Sequence, residues 1–268
     1  MNFRVDAVII GDSRSGHAIL DKLAKGTPKI RVAFISKSFK STTNIDYVHV
    51  KYIKNEVTYI CYRHRLFYCY LANGDIIFST HVVVATGVDY EPFIINNVQI
   101  PCVFHSAYDV STTAKDEPAL VICNNNADAK LALDISKKYK QVYLCTNALD
   151  IAKCVSAATA KKLAKTENIA VVPNTSIRSI TNSAGTIKKV ELDNYAEISC
   201  SAIYVKTAAK PVTEFIPANI LSTENGYPVV TETCESTLVP KFFAAGNCLK
   251  KYTLAMEQTI VDTILKDF

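Results

Sequence analysis

The chain has 268 residues, of which 49 % are hydrophobic and 21 % charged, and its net charge is +5. This composition is typical of a folded globular protein and excludes a disordered or fibrous one. The basic residues are scattered rather than gathered in a stripe, so we predict no nucleic-acid partner. No apolar run reaches the roughly 20 residues that cross a bilayer, and the N-terminus shows no signal-peptide pattern. We therefore expect a cytoplasmic protein without a membrane partner.

The chain begins with a β-α-β pattern. An apolar strand is predicted over Asp6–Ile10, a helix over His17–Lys25 and a second buried strand over Arg31–Ser36. Gly26-Thr27-Pro28 supplies the stop signal for the helix. Such a unit predicts two parallel strands joined by a right-handed crossover.

Strand-like segments follow up to Gly87, and they include the sequence LFYCYLANGDIIFSTHVVVAT. The residues Ala72–Asp75 carry a turn signal between runs rich in aromatic and β-branched side chains. We therefore predict an antiparallel hairpin that leads into a buried strand, HVVVAT.

A second β-α-β pattern, a hairpin and a closing helix make up the rest of the chain. The predicted elements are strands at Ala119–Cys123 and Gln141–Cys145, helices at 126–139 and Ser156–Lys165, a hairpin turning near Ala184-Gly185, a strand within Lys241–Cys248, and a helix at Leu254–Leu265. The plan of the first half thus occurs twice.

The chain contains nine cysteines, and no two of them are spaced as C-x-x-C. Several lie inside apolar runs such as ALVIC and VYLC, which is typical of reduced thiols that pack as small hydrophobic groups. No spacing of cysteines and histidines suggests zinc ligation, so we predict no metal site.

Four stretches carry a family resemblance: DAVIIGDSRSG, VVVATGVDYEP, PALVICNNNADAKLAL and ENGYPVVTETCESTLVPKFFAAGNC. In this order they resemble the thioredoxin-reductase-like group of flavoproteins, and the match covers nearly the whole chain. The resemblance implies an α/β fold of two Rossmann-like, three-layer dinucleotide-binding domains, the second inserted into the first. Residues 1–105 and 213–268 would form the FAD-type domain, and residues 106–212 the inserted NAD(P)-type domain. A homodimer is also implied.

The resemblance further implies which residues would hold FAD: Gly11, Ser13, Arg14, Gly16, Ser36, Thr86, Gly87, Gly246 and Asn247. Three of them depart from the family pattern. Ser13 replaces the glycine that lets the backbone approach a pyrophosphate, Ser36 stands where an acid would hold the ribose, and Asn247 replaces an aspartate. FAD binding is therefore an open question at this stage.

The second glycine loop of the family pattern is changed more strongly in this chain than the first. In CNNNAD, the residues Cys123, Asn125 and Asp128 stand at the three positions that small residues would fill, and the carboxylate would repel a diphosphate. We do not expect NADPH to bind. The family's redox-active C-x-x-C is represented only by Cys102, with His105 nearby, and a single thiol cannot form the internal disulfide that dithiol exchange requires. Cys102 is thus the sole, weak candidate for a catalytic residue.

Two functions remain open from the sequence. The chain is either a pseudoenzyme, which lacks dithiol reductase activity and serves as a dimeric binding or regulatory module for a nucleotide or protein partner, or a minimal FAD-dependent oxidoreductase reduced by an external donor or through an atypical site. A third alternative places another adenine-containing or acidic ligand in the crevice after the first strand.

Overall fold

The computed structural model describes residues 2–26, 29–39, 47–100, 103–107, 116–183 and 186–268. Three predicted features lie outside these residues: the stop signal at Thr27-Pro28, the candidate Cys102 and the turn at Ala184-Gly185. None of the helices in the described part combines the length and the apolar character that a membrane crossing requires.

Four α-helices are described: α1 (Arg14–Lys25), α2 (Asn126–Ile135), α3 (Ala157–Ala164) and α4 (Leu254–Leu265). Single 3₁₀ turns cover Ile151–Lys153 and Gly246–Cys248. The strands are β1 (Asn2–Arg4), β2 (Ala7–Ile10), β3 (Val32–Ser36), β4 (Val50–Lys54), β5 (Val57–Arg63), β6 (Leu66–Leu71), β7 (Ile76–Ser79), β8 (His81–Val84), β9 (Val88–Tyr90), β10 (Ile94–Ile95), β11 (Val98–Gln99), β12 (Val103–Phe104), β13 (Ala119–Ile122), β14 (Val142–Cys145), β15 (Ile169–Val172), β16 (Ile177–Ser183), β17 (Thr186–Leu192), β18 (Glu197–Ile198), β19 (Ala202–Tyr204), β20 (Ala209–Pro211), β21 (Thr223–Glu224), β22 (Tyr227–Pro228) and β23 (Phe242–Ala244).

The chain divides into two compact units, one of Met1–Asp89 with Ala209–Phe268 and one of Tyr90–Ala208. The second unit is therefore inserted into the first. The exact domain limits predicted from the resemblance, at residues 105 and 213, stay a prediction.

The first unit has three layers. Its central sheet has the strand order β23-β8-β2-β3-β4, and all its pairings are parallel. Because side chains alternate along a strand, Ala7 and Ile9 of β2 enter the core beneath α1 and α4, while Val8 and Ile10 enter the core beneath a second sheet, β1-β7-β6-β5. The predicted hairpin is present as β6 and β7, and Gly74 has the positive φ of +84° that its turn requires.

The second unit repeats this plan. A parallel sheet of order β12-β19-β13-β14-β15 is covered on one side by α2 and α3, and on the other side by the antiparallel strands β16-β17-β18. Val121 faces the helices and Leu120 faces the antiparallel sheet. The predicted α/β class, with two three-layer units of Rossmann type and the second inserted, is confirmed.

Most predicted elements are present with shifted ends. The closing helix α4 has the predicted limits, Leu254–Leu265. Helix α1 begins three residues earlier than predicted because Ser13 caps it. Helix α2 ends at Ile135 rather than at residue 139. The N–H groups of Lys138 and Tyr139 both donate to the carbonyl of Ile135, so the chain continues as a turn, and the buried Tyr139 places its hydroxyl 3.1 Å from that of Tyr204.

Candidate functional site

Two glycines of the first loop allow strand, loop and helix to pack closely. Gly11 follows β2 with a φ of +113°, and a Cβ there would lie 2.4 Å from the carbonyl oxygen of Ala85. A Cβ on Gly16 would lie 2.4 Å from the carbonyl oxygen of Gly11. Both positions therefore require glycine, and the chain's own backbone fills the space that a side chain would need.

Ser13 closes the N-terminus of α1. Its Oγ accepts a hydrogen bond of 3.1 Å from the backbone N–H of Gly16. That N–H belongs to the group of helix-end donors that bind an anion when they are free. Next to it, the carboxylate of Asp12 contacts Nε2 of His17, and the Asp12 side chain is almost buried. Arg14 is exposed at the start of the helix. A diphosphate bound at this loop would have to compete with Ser13 for the N–H of Gly16. It would also lie close to the negative charge of Asp12.

The predicted hydroxyl ligands Ser36 and Thr86 are both bonded to the chain itself. Ser36 Oγ donates to the carbonyl of Ser38 at 2.9 Å, and Thr86 Oγ1 donates to the carbonyl of Val212 at 2.6 Å. The carbonyl of Gly87 accepts from the N–H of Val212 at 3.1 Å. Thr86 and Gly87 thus tie the segment after β8 to the segment after β20 within the first unit, whereas the bond of Ser36 is local.

The third stretch of the predicted FAD site returns to the first loop. Gly246 follows β23 with a φ of +78°, and a Cβ there would lie 3.0 Å from Ser15 Oγ of α1. Asn247 is exposed beside it. Because β2, β8 and β23 are neighbours in one parallel sheet, the structure brings together Gly11, Thr86 and Gly246 at the carboxyl ends of these strands.

A buried carboxylate on α4, beside the half-buried Tyr252, was not predicted from the sequence. Glu257 on α4 is 3 % exposed; its Oε2 lies 3.9 Å from Lys22 Nζ, and its Oε1 has no hydrogen-bond partner in the described part of the chain. Burial, and then the charge of Glu257, raise the pKa of Tyr252 above its ordinary value. The position of Glu257 three residues before Ile260 on the apolar face of α4 was the available signal.

The second loop is closed by its own side chains. Oδ1 of Asn125 accepts from the backbone N–H groups of Ala127 at 2.8 Å and Asp128 at 3.2 Å. Asp128 is 2 % exposed, and its Oδ2 accepts from the N–H of Asn124 at 3.0 Å. Three amides that could face a diphosphate are therefore occupied, in an arrangement that resembles a capping box. The residues present do not fit the diphosphate of NADPH.

A cavity of about 240 Å³ lies at the carboxyl ends of β13 and β14 in the second unit. Its polar lining includes Asn124, Thr146, Asn147 and Ser176, and its apolar lining includes Ile122 and Ile177. None of the described residues that line it is charged. A phosphate placed there would find no cationic partner among these lining residues.

The described cysteines are free thiols. Burial raises the pKa of Cys69, Cys145 and Cys200 to about 12 and that of Cys123 to about 11. His105 Nδ1 donates to the carbonyl of Val205 at 2.6 Å, and its ring is stacked on Tyr90 with centroids 4.0 Å apart. The hydrogen bond to Val205 and the stacking on Tyr90 fix the orientation of the His105 ring within the second unit.

Comparison with known proteins shows which family model the sequence matches and which solved structures have a similar fold. The sequence matches the family model described as pyridine nucleotide-disulphide oxidoreductase over residues 48–246. No curated protein sequence matches the chain. The structure is similar to the thioredoxin reductases of T. acidophilum (TM-score 0.68, 15 % identity, 98 % of each chain covered), Lactococcus lactis (0.66, 15 %, 98 % of each) and Streptococcus pyogenes (0.62, 14 %, 100 % of each). At these identities the likeness is one of fold.

Proposed function

The chain belongs to the pyridine nucleotide-disulphide oxidoreductase family, and we propose that it is a pseudoenzyme of this family, without dithiol reductase activity, that acts as a binding or regulatory module. The sequence has the thioredoxin-reductase-like plan but no C-x-x-C pair. The observation that carries the proposal is the closure of the second loop by Asn125 and Asp128. We further propose that the module is a homodimer, which sedimentation of the purified protein tests.

The closed loop opposes NADPH binding in two ways. A diphosphate would have to replace three hydrogen bonds that the loop makes with itself. The two bonds to the Asn125 amide oxygen are each worth about 0.5–1.5 kcal/mol, and the one to the Asp128 carboxylate about 1.5–3 kcal/mol. The diphosphate would also come close to the carboxylate of Asp128, and like charges repel strongly where water is excluded. Without NADPH the family's source of hydride is missing.

A second candidate function is a minimal FAD-dependent oxidoreductase. It is favoured by the first loop, where Gly11, Gly16 and Gly246 keep the close packing of strand ends and helix. It is disfavoured by the cap of Ser13 and by the engaged hydroxyls of Ser36 and Thr86. In this alternative, FAD would be held by the first loop and would supply redox chemistry with electrons from another donor.

The visible spectrum of the purified protein separates the two functions. We expect no flavin band before or after addition of FAD, no NADPH binding by calorimetry, and no NADPH-dependent reduction of a disulfide reagent. A protein that carries flavin which NADPH leaves oxidised would support the second candidate. Flavin that NADPH bleaches would overturn the proposal.

Opening the second loop tests whether its closure by Asn125 and Asp128 is what excludes NADPH. The double change Asn125→Gly with Asp128→Gly frees three backbone amides, and we expect NADPH binding to become measurable by calorimetry. Ser156→Gly is the matched control, because it removes the cap of α3 in the same unit, where Ser156 Oγ accepts from the N–H of Thr159 at 3.3 Å. An equal response of both variants would mean that loop closure is not what excludes the dinucleotide.

A further inference from the structure

The sheet β1-β7-β6-β5 of the first unit has a second apolar side. Along β6, Phe67 and Cys69 point into the core, so Tyr68 and Tyr70 point outward. The strand register places further apolar side chains beside them. We call the outward set the aromatic face; it consists of Tyr59, Leu66, Tyr68, Tyr70, Ile76 and Phe78.

The rings of this face contact one another rather than the cores. The centroids of Tyr68 and Phe78 are 5.0 Å apart in an edge-to-face arrangement, and those of Tyr59 and Tyr70 are 5.9 Å apart. Tyr59 is 49 % exposed, and the other five are partly exposed. None of the six is among the described residues that form or flank the two cores of this unit.

Such a face is unusual for an outer layer. An antiparallel sheet with one side on a core normally presents polar side chains on the other. A contiguous group of aromatic and aliphatic side chains on the outer side marks an interaction surface. Tyr, Phe and Arg are also the residue types enriched at protein interfaces.

The charged side chains on the four strands themselves have one sign; Asp6, which follows β1 and interacts electrostatically with Arg4, is paired with Arg31. Arg4 pairs with Phe78 in the register of β1 and β7, and Arg63 pairs with Leu66 in that of β5 and β6. Both arginines are exposed, and neither forms a salt bridge with a described residue. None of the four strands contains an aspartate or a glutamate. The complementary partner is therefore apolar with carboxylates at its margin.

The area of the face limits the size of the partner that it can bind. The strands β1, β5, β6 and β7 have three, seven, six and four residues. At about 4.8 Å between strands and about 3.4 Å per residue they cover roughly 330 Å², less than half of the ~800 Å² that each partner of a stable dimer buries. The face by itself is too small for a stable interface with a second copy of the chain. Two arginines are likewise few for a nucleic acid, whose affinity depends on many phosphate contacts.

We propose that the aromatic face binds a short acidic and apolar peptide segment of a partner protein. This rests on the proposed function as a binding module, and it names the surface and the chemistry of the partner. An extended peptide of about six residues matches the length of β5 and β6. Its apolar side chains would pack on the rings, and its carboxylates would pair with Arg4 and Arg63.

A phage-displayed library of random peptides of about seven residues, panned on the full-length protein, tests the proposal. We expect enriched peptides that combine aromatic or aliphatic residues with aspartate or glutamate. Synthetic copies should lose about tenfold or more in affinity with Tyr68→Ser and with Arg63→Glu. Tyr195→Ser is the matched control, because Tyr195 is 70 % exposed in the second unit and lies under Arg178, 4.4 Å from its ring.

Circular dichroism and thermal unfolding of each variant check that it is folded. The proposal is overturned if the enriched peptides lack acids, or if Tyr68→Ser leaves their affinity unchanged. It is equally overturned if sedimentation shows a dimer that Tyr68→Ser dissociates, or if a single-stranded oligonucleotide binds with the same dependence on Tyr68. Flavin and NADPH binding are measured on the same preparation. Their result tests the proposed function, and the peptide result tests the aromatic face, so a failure of one is distinguished from a failure of the other.

Discussion

The buried carboxylate of Asp128 accepts a hydrogen bond from the backbone N–H of Asn124 at 3.0 Å. With this bond and the two that Asn125 accepts, three amides at the N-terminus of α2 are occupied and are not free to bind an anion. In this chain, a side chain inside the loop takes the place that a ligand's phosphates would take.

Removal of this carboxylate should destabilise the protein. Asp128→Ala removes the acceptor of the Asn124 amide, but Asn124 is exposed to water and Oδ1 of Asp128 is buried without a partner in the described part of the chain. We therefore expect the free energy of unfolding to fall by about 1 kcal/mol. Urea denaturation measures the change. Asp134→Ala on the same helix is the control, because Asp134 is 61 % exposed and its bridge to Lys137 contributes at most about 0.5 kcal/mol. Equal losses in the two variants would contradict the prediction.

Gly11 should tolerate no side chain. In Gly11→Ala the new Cβ would lie 2.4 Å from the carbonyl oxygen of Ala85, and the positive φ adds strain. We expect a loss of more than about 3 kcal/mol or a failure to fold, assessed by the yield of soluble protein and by thermal unfolding. Gly74→Ala separates the two causes, since Gly74 also has a positive φ but nothing lies near its Cβ position. Its cost should stay near 1 kcal/mol; a cost as large as that of Gly11→Ala would refute the steric explanation.

The stability of the first unit should fall as the pH is lowered through the range in which His81 titrates. Burial lowers the pKa of His81 below its ordinary value of 6.5, although Asp267, whose Oδ2 lies 2.9 Å from Nε2, opposes this. Below pH 6.5 the unfolded chain therefore binds a proton that the folded chain resists, until the lower folded pKa is reached. Lys241 and His81 lower the pKa of Asp267, so its contribution is lost only below about pH 3.8, outside this range.

Urea midpoints between pH 7.5 and pH 5 test this, with pH values chosen to bracket the ordinary histidine pKa of about 6.5. His81→Gln keeps a side-chain donor for Asp267 but cannot be protonated, and its midpoint should vary less with pH than that of the unchanged protein. His64→Gln, at an exposed turn position, is the control and should keep the original slope. A slope unaltered by His81→Gln would refute the assignment.

The buried thiols should react slowly. Because burial raises the pKa of Cys69, Cys145 and Cys200 to about 12, very little thiolate is present near pH 8. We expect these three to react with an aromatic disulfide reagent at least about a hundred times more slowly in the native protein than in urea, where all nine cysteines react. Mass spectrometry of the labelled protein identifies the sites. Rapid native labelling of any of the three would contradict their burial.

Much of the fold was predictable because it depends on local and periodic signals. Helix α4 has the predicted limits, since its apolar positions repeat with helical spacing between clear ends. The parallel strands β2 and β13 are short apolar runs that lead into helices, and two such units in one chain predicted the paired α/β layers. The start of α1 was misplaced because the cap of Ser13 depends on one side-chain hydrogen bond.

The sequence by itself determined the α/β class, the duplicated plan and the departures at Ser13, Ser36 and Asp128, because residue identity and spacing are enough for these. Only the tertiary structure decided what those residues do. Thr86 and Val212 are 126 positions apart in the sequence and form a hydrogen bond only in the folded chain. The carboxylate of Asp128 points toward the loop that precedes it and accepts a hydrogen bond from Asn124. The aromatic face also needed the strand register, because alternation along β6 does not say which side of a doubly apolar strand faces the core.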